Sequence, residues 1–215
     1  MPLRVLTLPL GPLETNAYLI VDDASGEAVV VDPGGDAPRI EEALREAGAR
    51  PVAIWLTHAH FDHVGGIADL LEADPLAREP IPVLLHPDDA RLFTHATVQA
   101  AAYGLMVRDP GVTPAPLAHG QTLTLGAHTA RCLHTPGHAP GHVVFVFDDA
   151  GFVLAGDALF RGSIGRTDIA YADHDTLLRS IHEHLLTLPD ETIVYPGHGP
   201  ATTIGDERRS NPFLR

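Results

Sequence analysis

The sequence predicts an α/β protein, a four-layer αββα sandwich in which two packed sheets are flanked by helices. Three observations lead there. Apolar, β-branched runs come in meander-like pairs bounded by Gly, Pro and Asp. Helical patterns are interspersed between them, in an order (β-rich, helix, β, helix, then β-rich, helix, β) that reads as a loose internal duplication without sequence identity. No flexible linker is long enough to divide the chain, so residues 1–215 are expected to form a single domain.

Leu3 to Leu8, Ala17 to Val21 and Glu27 to Asp32 read as strands, the last ended by Pro33-Gly34-Gly35. Asp36 is the expected N-cap of a helix from Ala37 to Ala47, with Ile40, Ala43, Leu44 and Ala47 on one face and Gly48 as its stop. Pro51 to Leu56 reads as a buried strand, Ile67 to Leu71 as a helix, and Ile81 to His86 as a short strand followed by a helical turn at Pro87. A helix near Val98–Tyr103 then leads into a Pro-rich surface connector. Strands follow at Gln121–Leu125, His128–Leu133, Val143–Phe147 and Phe152–Ala155, then a helix from Asp175 to Leu186 and a last strand at Thr192–Tyr195.

Composition narrows the function. Hydrophobic residues make up 45% and charged residues 20%, which excludes a disordered chain. No apolar run approaches the length of a spanning helix, and Met1 to Leu8 turns polar too quickly for a signal peptide, so a cytoplasmic protein with no membrane partner is expected. Fourteen Lys and Arg against 28 Asp and Glu give a net charge of −14, which argues against nucleic acid as a partner. The single cysteine, Cys132, sits in a strand pattern and reads as a buried structural thiol in a reducing compartment.

The chemistry concentrates in Thr57-His-Ala-His-Phe-Asp-His63, just past the Pro51–Leu56 strand. Residues two apart in an extended segment point the same way, so His58 and His60 share a target. A helical turn immediately after swings Asp62 and His63 toward a second point nearby. His138, Asp157 and His198 each follow the end of a later apolar strand, where strand ends of a layered fold converge on one rim. Three imidazoles and a carboxylate suit one cation. Two imidazoles and two carboxylates, one of them shared, suit another, with Asp157 as the candidate bridge. This donor set takes zinc, iron(II) or manganese. A water between two such cations ionises near neutral pH, giving a nucleophile without a catalytic serine or cysteine. His134, His142 and Asp32 read as supports for the ligands. His86, His95, His119, His128, His174, His182 and His184 read as surface or packing residues. Gly34 and Gly35 do not belong to a phosphate-binding pattern.

His-x-His-x-Asp-His at 58–63, Pro-Gly-His at 136–138, Gly-Asp at 156–157 and Pro-Gly-His-Gly at 196–199 resemble the metallo-β-lactamase-fold hydrolases over nearly the whole chain. Within them, the stretch from Gly156 to Asp168 and the ending Asn211-Pro-Phe-Leu214 are most similar to short bacterial type II glyoxalases (hydroxyacylglutathione hydrolases). The resemblance implies the αββα fold and two divalent metal ions, foremost zinc. It places one on His58, His60 and His138 and one on Asp62, His63 and His198, with Asp157 bridging. It implies hydrolysis of a 2-hydroxyacyl thioester, such as an S-lactoyl thiol, by a metal-bridging hydroxide, with Asp62 and Asp157 catalytic. Arg166 falls where long glyoxalases touch the thiol-derived part of the substrate, and equally where it would pair with Asp168. Long glyoxalases recognise glutathione through a further C-terminal helical region. Here Arg208 and Arg209 would have to substitute, or the carrier is another thiol. The alternative activity is a persulfide dioxygenase with one iron(II) on His58, His138 and Asp157. A non-enzymatic metal-binding module and a β-lactamase rank below both.

Overall fold

The computed structural model describes residues 3–72 and 81–215; Met1 and Pro2 of the N-terminal stretch lie outside the described residues. The first half builds β1 (Leu3–Leu10), β2 (Thr15–Asp22), β3 (Glu27–Val31), α1 (Ala37–Ala47), β4 (Arg50–Trp55), α2 (Phe61–Val64), α3 (Ile67–Glu72), β5 (Val83–Leu85), α4 (Ala90–Thr94), α5 (Ala96–Ala102) and β6 (Ala115–Pro116). The second builds β7 (Thr122–Leu125), β8 (His128–His134), β9 (Val143–Phe147), β10 (Phe152–Gly156), the small β11 (Leu159–Phe160) and β12 (Ser163–Ile164) pair, α6 (His174–Ser180), β13 (Ile193–Pro196), β14 (Thr202–Thr203) and α7 (Ile204–Ser210). Each half supplies one six-stranded sheet. Their orders are β1-β2-β3-β4-β5-β6 and β14-β13-β10-β9-β8-β7. β1 to β3 and β7 to β10 are antiparallel meanders, and parallel neighbours (β4 to β6, and β13 on β10) extend them.

Side-chain alternation explains the layers. In β2, Tyr18 and Ile20 face the opposite sheet, where they join Val29, Val31 and Trp55 against Cys132, Phe145, Phe147, Phe152 and Leu154. The intervening Leu19 and Val21 face outward and pack with Val30 and Ile54 under Ile40 and Leu44 of α1 and Ile67 and Leu70 of α3. On the far side Val144, Val146, Val153 and Ala155 are covered by Leu177, Ile181, Leu185 and Ile204. Strands buried on both faces need apolar residues at every position, which is why these runs read as continuous rather than alternating. The predicted αββα sandwich is the observed fold.

Several local expectations change. Asp36 stands at the head of α1 but caps nothing. It adopts a left-handed conformation (φ 46°), and its carboxylate accepts the Gly11 N–H at 3.1 Å instead. Gly48 does end the helix, at φ 65°. The helix expected from Asp175 to Leu186 runs as α6 to Ser180 and continues as a π-helical turn over Ile181–Leu185. The Pro-rich connector contains β6, which pairs with Leu84 and Leu85. α7 was not foreseen, although Thr203 three residues before Asp206 is a capping signal and its hydroxyl accepts the Asp206 N–H at 3.1 Å.

The two sheets are joined at the ends of β2 and β13. Asn16 donates its side-chain amide to the carbonyls of Pro196 (3.0 Å) and Gly199 (2.8 Å) and its backbone N–H to Gly197 (2.7 Å). The Tyr18 hydroxyl reaches Pro196 at 2.6 Å, and Thr15 pairs with His198 as an isolated bridge.

Candidate metal centre

β4 delivers Thr57 to Asp32, which sits past the end of β3 in a left-handed conformation (φ 50°). The Asp32 carboxylate accepts the Thr57 N–H at 2.8 Å and its hydroxyl at 2.6 Å. That hydroxyl proton is thereby committed, so the 3.0 Å contact from His58 Nδ1 to Thr57 Oγ1 requires His58 to be the donor. The Nε2 lone pair of His58 is left facing inward. His63 is set the same way, donating from Nδ1 to Asp32 Oδ2 at 3.0 Å. His138 donates from Nδ1 to the Arg166 carbonyl at 2.9 Å, and His198 from Nδ1 to the Leu13 carbonyl at 3.1 Å. Four imidazoles are thus held in one tautomer with Nε2 presented. His60 is turned over and offers Nδ1, 2.9 Å from His138 Nε2.

These nitrogens converge. The rings of His58, His60 and His138 stand nearly perpendicular to one another (82–89°) with centroids 4.6–4.9 Å apart. Asp62, His63 and His198 form a second group, with His198 Nε2 3.2 Å and His63 Nε2 3.6 Å from Asp62 Oδ2. Asp157 stands between the groups, Oδ1 3.4 Å from His63 Nε2 and Oδ2 3.5 Å from His138 and 3.7 Å from His198. A methyl on Gly197 would run into Asp157 Oδ1, so only glycine fits there. The structure therefore brings all seven sequence-derived candidates into one cluster.

Three buried atoms in it, His58 Nε2, His63 Nε2 and Asp157 Oδ1, have no hydrogen-bond partner. Buried polar atoms without partners are costly, and lone pairs aimed at a common point answer to a cation. His58, His60 and His138 fit one ion, Asp62, His63 and His198 another, and Asp157 either or both. The electrostatics agree. Burial, with the neighbouring imidazoles, keeps His58 neutral and holds His60 down at about 3. Burial would raise Asp62 and Asp157, but His63 and the other imidazoles outweigh it, leaving Asp62 at about 2 and Asp157 far below the carboxylate range. His63 and His198 go the other way: burial would lower them, but Asp157 and Asp62 push His63 well above the usual imidazole range and Asp62 with Asp157 pushes His198 up. The first group thus offers neutral nitrogens, and a divalent ion at the second would take the place of protons on His63 and His198 beside carboxylates already ionised.

The supports are now visible. His142 accepts the Asp157 N–H at Nε2 (3.0 Å) and meets Thr135 Oγ1 at Nδ1 (2.8 Å), so both nitrogens are taken. Asp89 escaped the sequence reading. It is fully buried and accepts the N–H of Ala59 at 2.9 Å and of Gly141 at 2.6 Å, fastening the His58–His60 segment to the loop that carries His138. A lone Asp after a turn carries no sequence signal for that, since its partners lie 30 and 52 residues away. Arg166 directs its guanidinium to Asp168 (2.9 and 3.1 Å) with the side chain 61% exposed, and it is the Arg166 carbonyl that serves the cluster. His134 donates from Nε2 to the Pro140 carbonyl at 2.8 Å and stacks on His86, outside the cluster.

An αββα sandwich with a buried histidine–carboxylate cluster where its two sheets join defines a metal-binding protein of the metallo-hydrolase type. The chain belongs to the Metallo-beta-lactamase superfamily, which it matches over residues 10–198. It is 41% identical to the probable metallo-hydrolase YqgX of Bacillus subtilis, over 96% of this chain and 95% of that one. It is 36% identical to the hydroxyacylglutathione hydrolase GloC of Haemophilus influenzae, over 99% and 98%. Among solved structures it resembles TTHA1623 in a di-iron-bound form (TM-score 0.87, 44% identity, 97% and 100% covered) and the BLEG-1 B3 metallo-beta-lactamase (0.89, 40%, 98% and 99%). ETHE1 from Myxococcus xanthus is more distant (0.75, 27%, 99% and 84%). No helix among the described residues is long and apolar enough to cross a membrane.

Proposed function

We propose that the protein is a cytoplasmic hydrolase of 2-hydroxyacyl thioesters, such as S-lactoyl thiols, working with two divalent cations, foremost zinc. The observation that carries this is the position of Asp157 between two convergent ligand groups. The relationship to GloC supports the substrate class. When bound, the cations supply Lewis acidity and lower the pKa of water. The chain does the rest. Asp157 and the fixed imidazole tautomers keep the donors in place without reorganisation during reaction. Asp62, whose Oδ2 is pinned by the Thr15 hydroxyl at 2.9 Å, accepts a hydrogen bond from the attacking oxygen and holds its proton in position. The carbon–sulfur bond of the thioester breaks, releasing a 2-hydroxy acid and a thiol.

The rival, a persulfide dioxygenase with iron(II) on His58, His138 and Asp157, is favoured by the likeness to ETHE1. It leaves Asp62, His63 and His198 without a cation. Metal analysis with two assays separates the readings. Two metals per chain and turnover of S-lactoyl thioesters are expected. One iron per chain, with oxygen uptake on glutathione persulfide and no thioester turnover, would overturn the hydrolase.

A further inference from the structure

Beside the second ligand group lies a cavity of about 530 Å³. Asp62 and Thr15 belong to both cavity and cluster. The walls come from the β1–β2 turn, the loop before α1 and the Leu105–Arg108 segment, and are mostly apolar. Leu13 (42% exposed) and Met106 (98% exposed) leave apolar surface open to solvent there. Arg108 is the one cation lining it among the described residues, and its guanidinium is engaged by Asp69 (2.7 Å) and Glu72 (2.7 Å). Against it stand Asp36 and Asp69 in the same lining, Asp62 being turned to the ligand group.

We propose that this cavity receives the thiol carrier of the substrate, and that the carrier presents an uncharged, apolar group to it. The proposal rests on the thioesterase reading. Size comes first: a 2-hydroxyacyl group of a few carbons does not fill a space in the range that holds whole small-molecule ligands, so the larger carrier is left for it. Charge comes second. A carrier bearing carboxylates would bring them to a wall whose carboxylates outnumber its cations and whose guanidinium already has two acid partners. An alkyl or aryl thiol meets Leu13, Leu105, Met106 and Val107 at no such cost.

The test uses the metal-loaded protein, S-lactoyl-hexanethiol and S-lactoylglutathione, in the wild type and in Pro12→Asp and Met106→Asp, both at exposed positions in the cavity lining. The wild type should prefer the hexyl thioester in kcat/KM by tenfold or more. Each substitution should raise KM for that ester at least fivefold with kcat within twofold, and change kcat/KM for the glutathione ester less than twofold. A wild-type preference for the glutathione ester, or equal losses on both, would overturn the proposal. If neither ester turns over, the hydrolase reading falls and calorimetric titration with N-hexyl lactamide decides the cavity. Binding weakened at least fivefold by either substitution keeps the apolar pocket, and no binding, or equal binding to all three proteins, ends it.

Discussion

Two groups of histidines lie close together in this fold and have opposite designs. In the metal centre, the three rings of His58, His60 and His138 are mutually perpendicular, so their nitrogen lone pairs meet at a point. Just outside it, His86 and His134 lie flat on one another, with centroids 4.1 Å apart and planes 7° apart, and Asp88 nearby. An imidazole lone pair lies in the ring plane. Parallel stacked rings share no in-plane point, so this pair cannot serve one cation without turning a ring. The two groups also differ in anchoring. Four imidazoles of the centre have Nδ1 fixed by a hydrogen bond and Nε2 directed inward, while the His134 Nε2 is taken by the Pro140 carbonyl. Proximity of histidines is therefore a poor guide to a metal site, and ring orientation with the anchor on the second nitrogen is a good one.

That contrast can be broken most severely at Asp157. Asp157→Asn should remove the link between the ligand groups and lower kcat/KM on the order of 10³-fold, as loss of a major electrostatic stabiliser does, with metal content by elemental analysis falling below two per chain. Stripping the metals with a chelator comes next. Ligands held at 1,000 times their Kd stabilise by about 4 kcal/mol, worth roughly 8–16 °C for a chain of this size, and calorimetry should show a drop of that order. Asp89→Asn keeps size but turns an amide N–H₂ toward one of two backbone N–H groups. Activity should fall roughly 10- to 100-fold, as for lost ligand support, while metal content at saturation holds. Smaller still is the effect at the stacked pair: His86→Ala and His134→Gln should leave metal stoichiometry at two and kcat/KM within threefold. A third equivalent of metal lost on His86→Ala would show that the stacked rings do turn and bind. At the bottom of the scale, Cys132 should be silent. Burial between the sheets pushes its thiol up to about 12, so at pH 8 only about one molecule in 10⁴ carries the thiolate. Because the shift is upward, raising pH from 6 to 9 still leaves it protonated, and a thiol reagent should label native protein only after unfolding.

Much of the architecture was legible because its causes are local. Strands buried on both faces write themselves as unbroken apolar runs, and Gly48 announces the left-handed end of α1. The ligand cluster was legible because each member follows the end of an apolar strand. What stayed hidden depends on partners far along the chain. Asp89 is indistinguishable from Asp88 until Ala59 and Gly141 arrive, and Asp36 looks like a cap until Gly11 claims its carboxylate. Arg166 could be read as a substrate contact or an ion pair. Its guanidinium lies on Asp168, while its carbonyl, invisible to any side-chain reading, orients His138.

The bonds from Asn16 to Pro196 and Gly199 close a loop of up to 183 residues. Relative to a ten-residue loop, that closure costs about 2.6 kcal/mol more in chain entropy. Asp62 and His198 stand at this closure, one on each side, and a cation taken up by their group would act as a clasp on it. On the proposed reading, ions bound for catalysis would also carry part of the cost of bringing the ends of a long path together, and amide exchange at Asn16 and Gly197 should be where their removal is felt first.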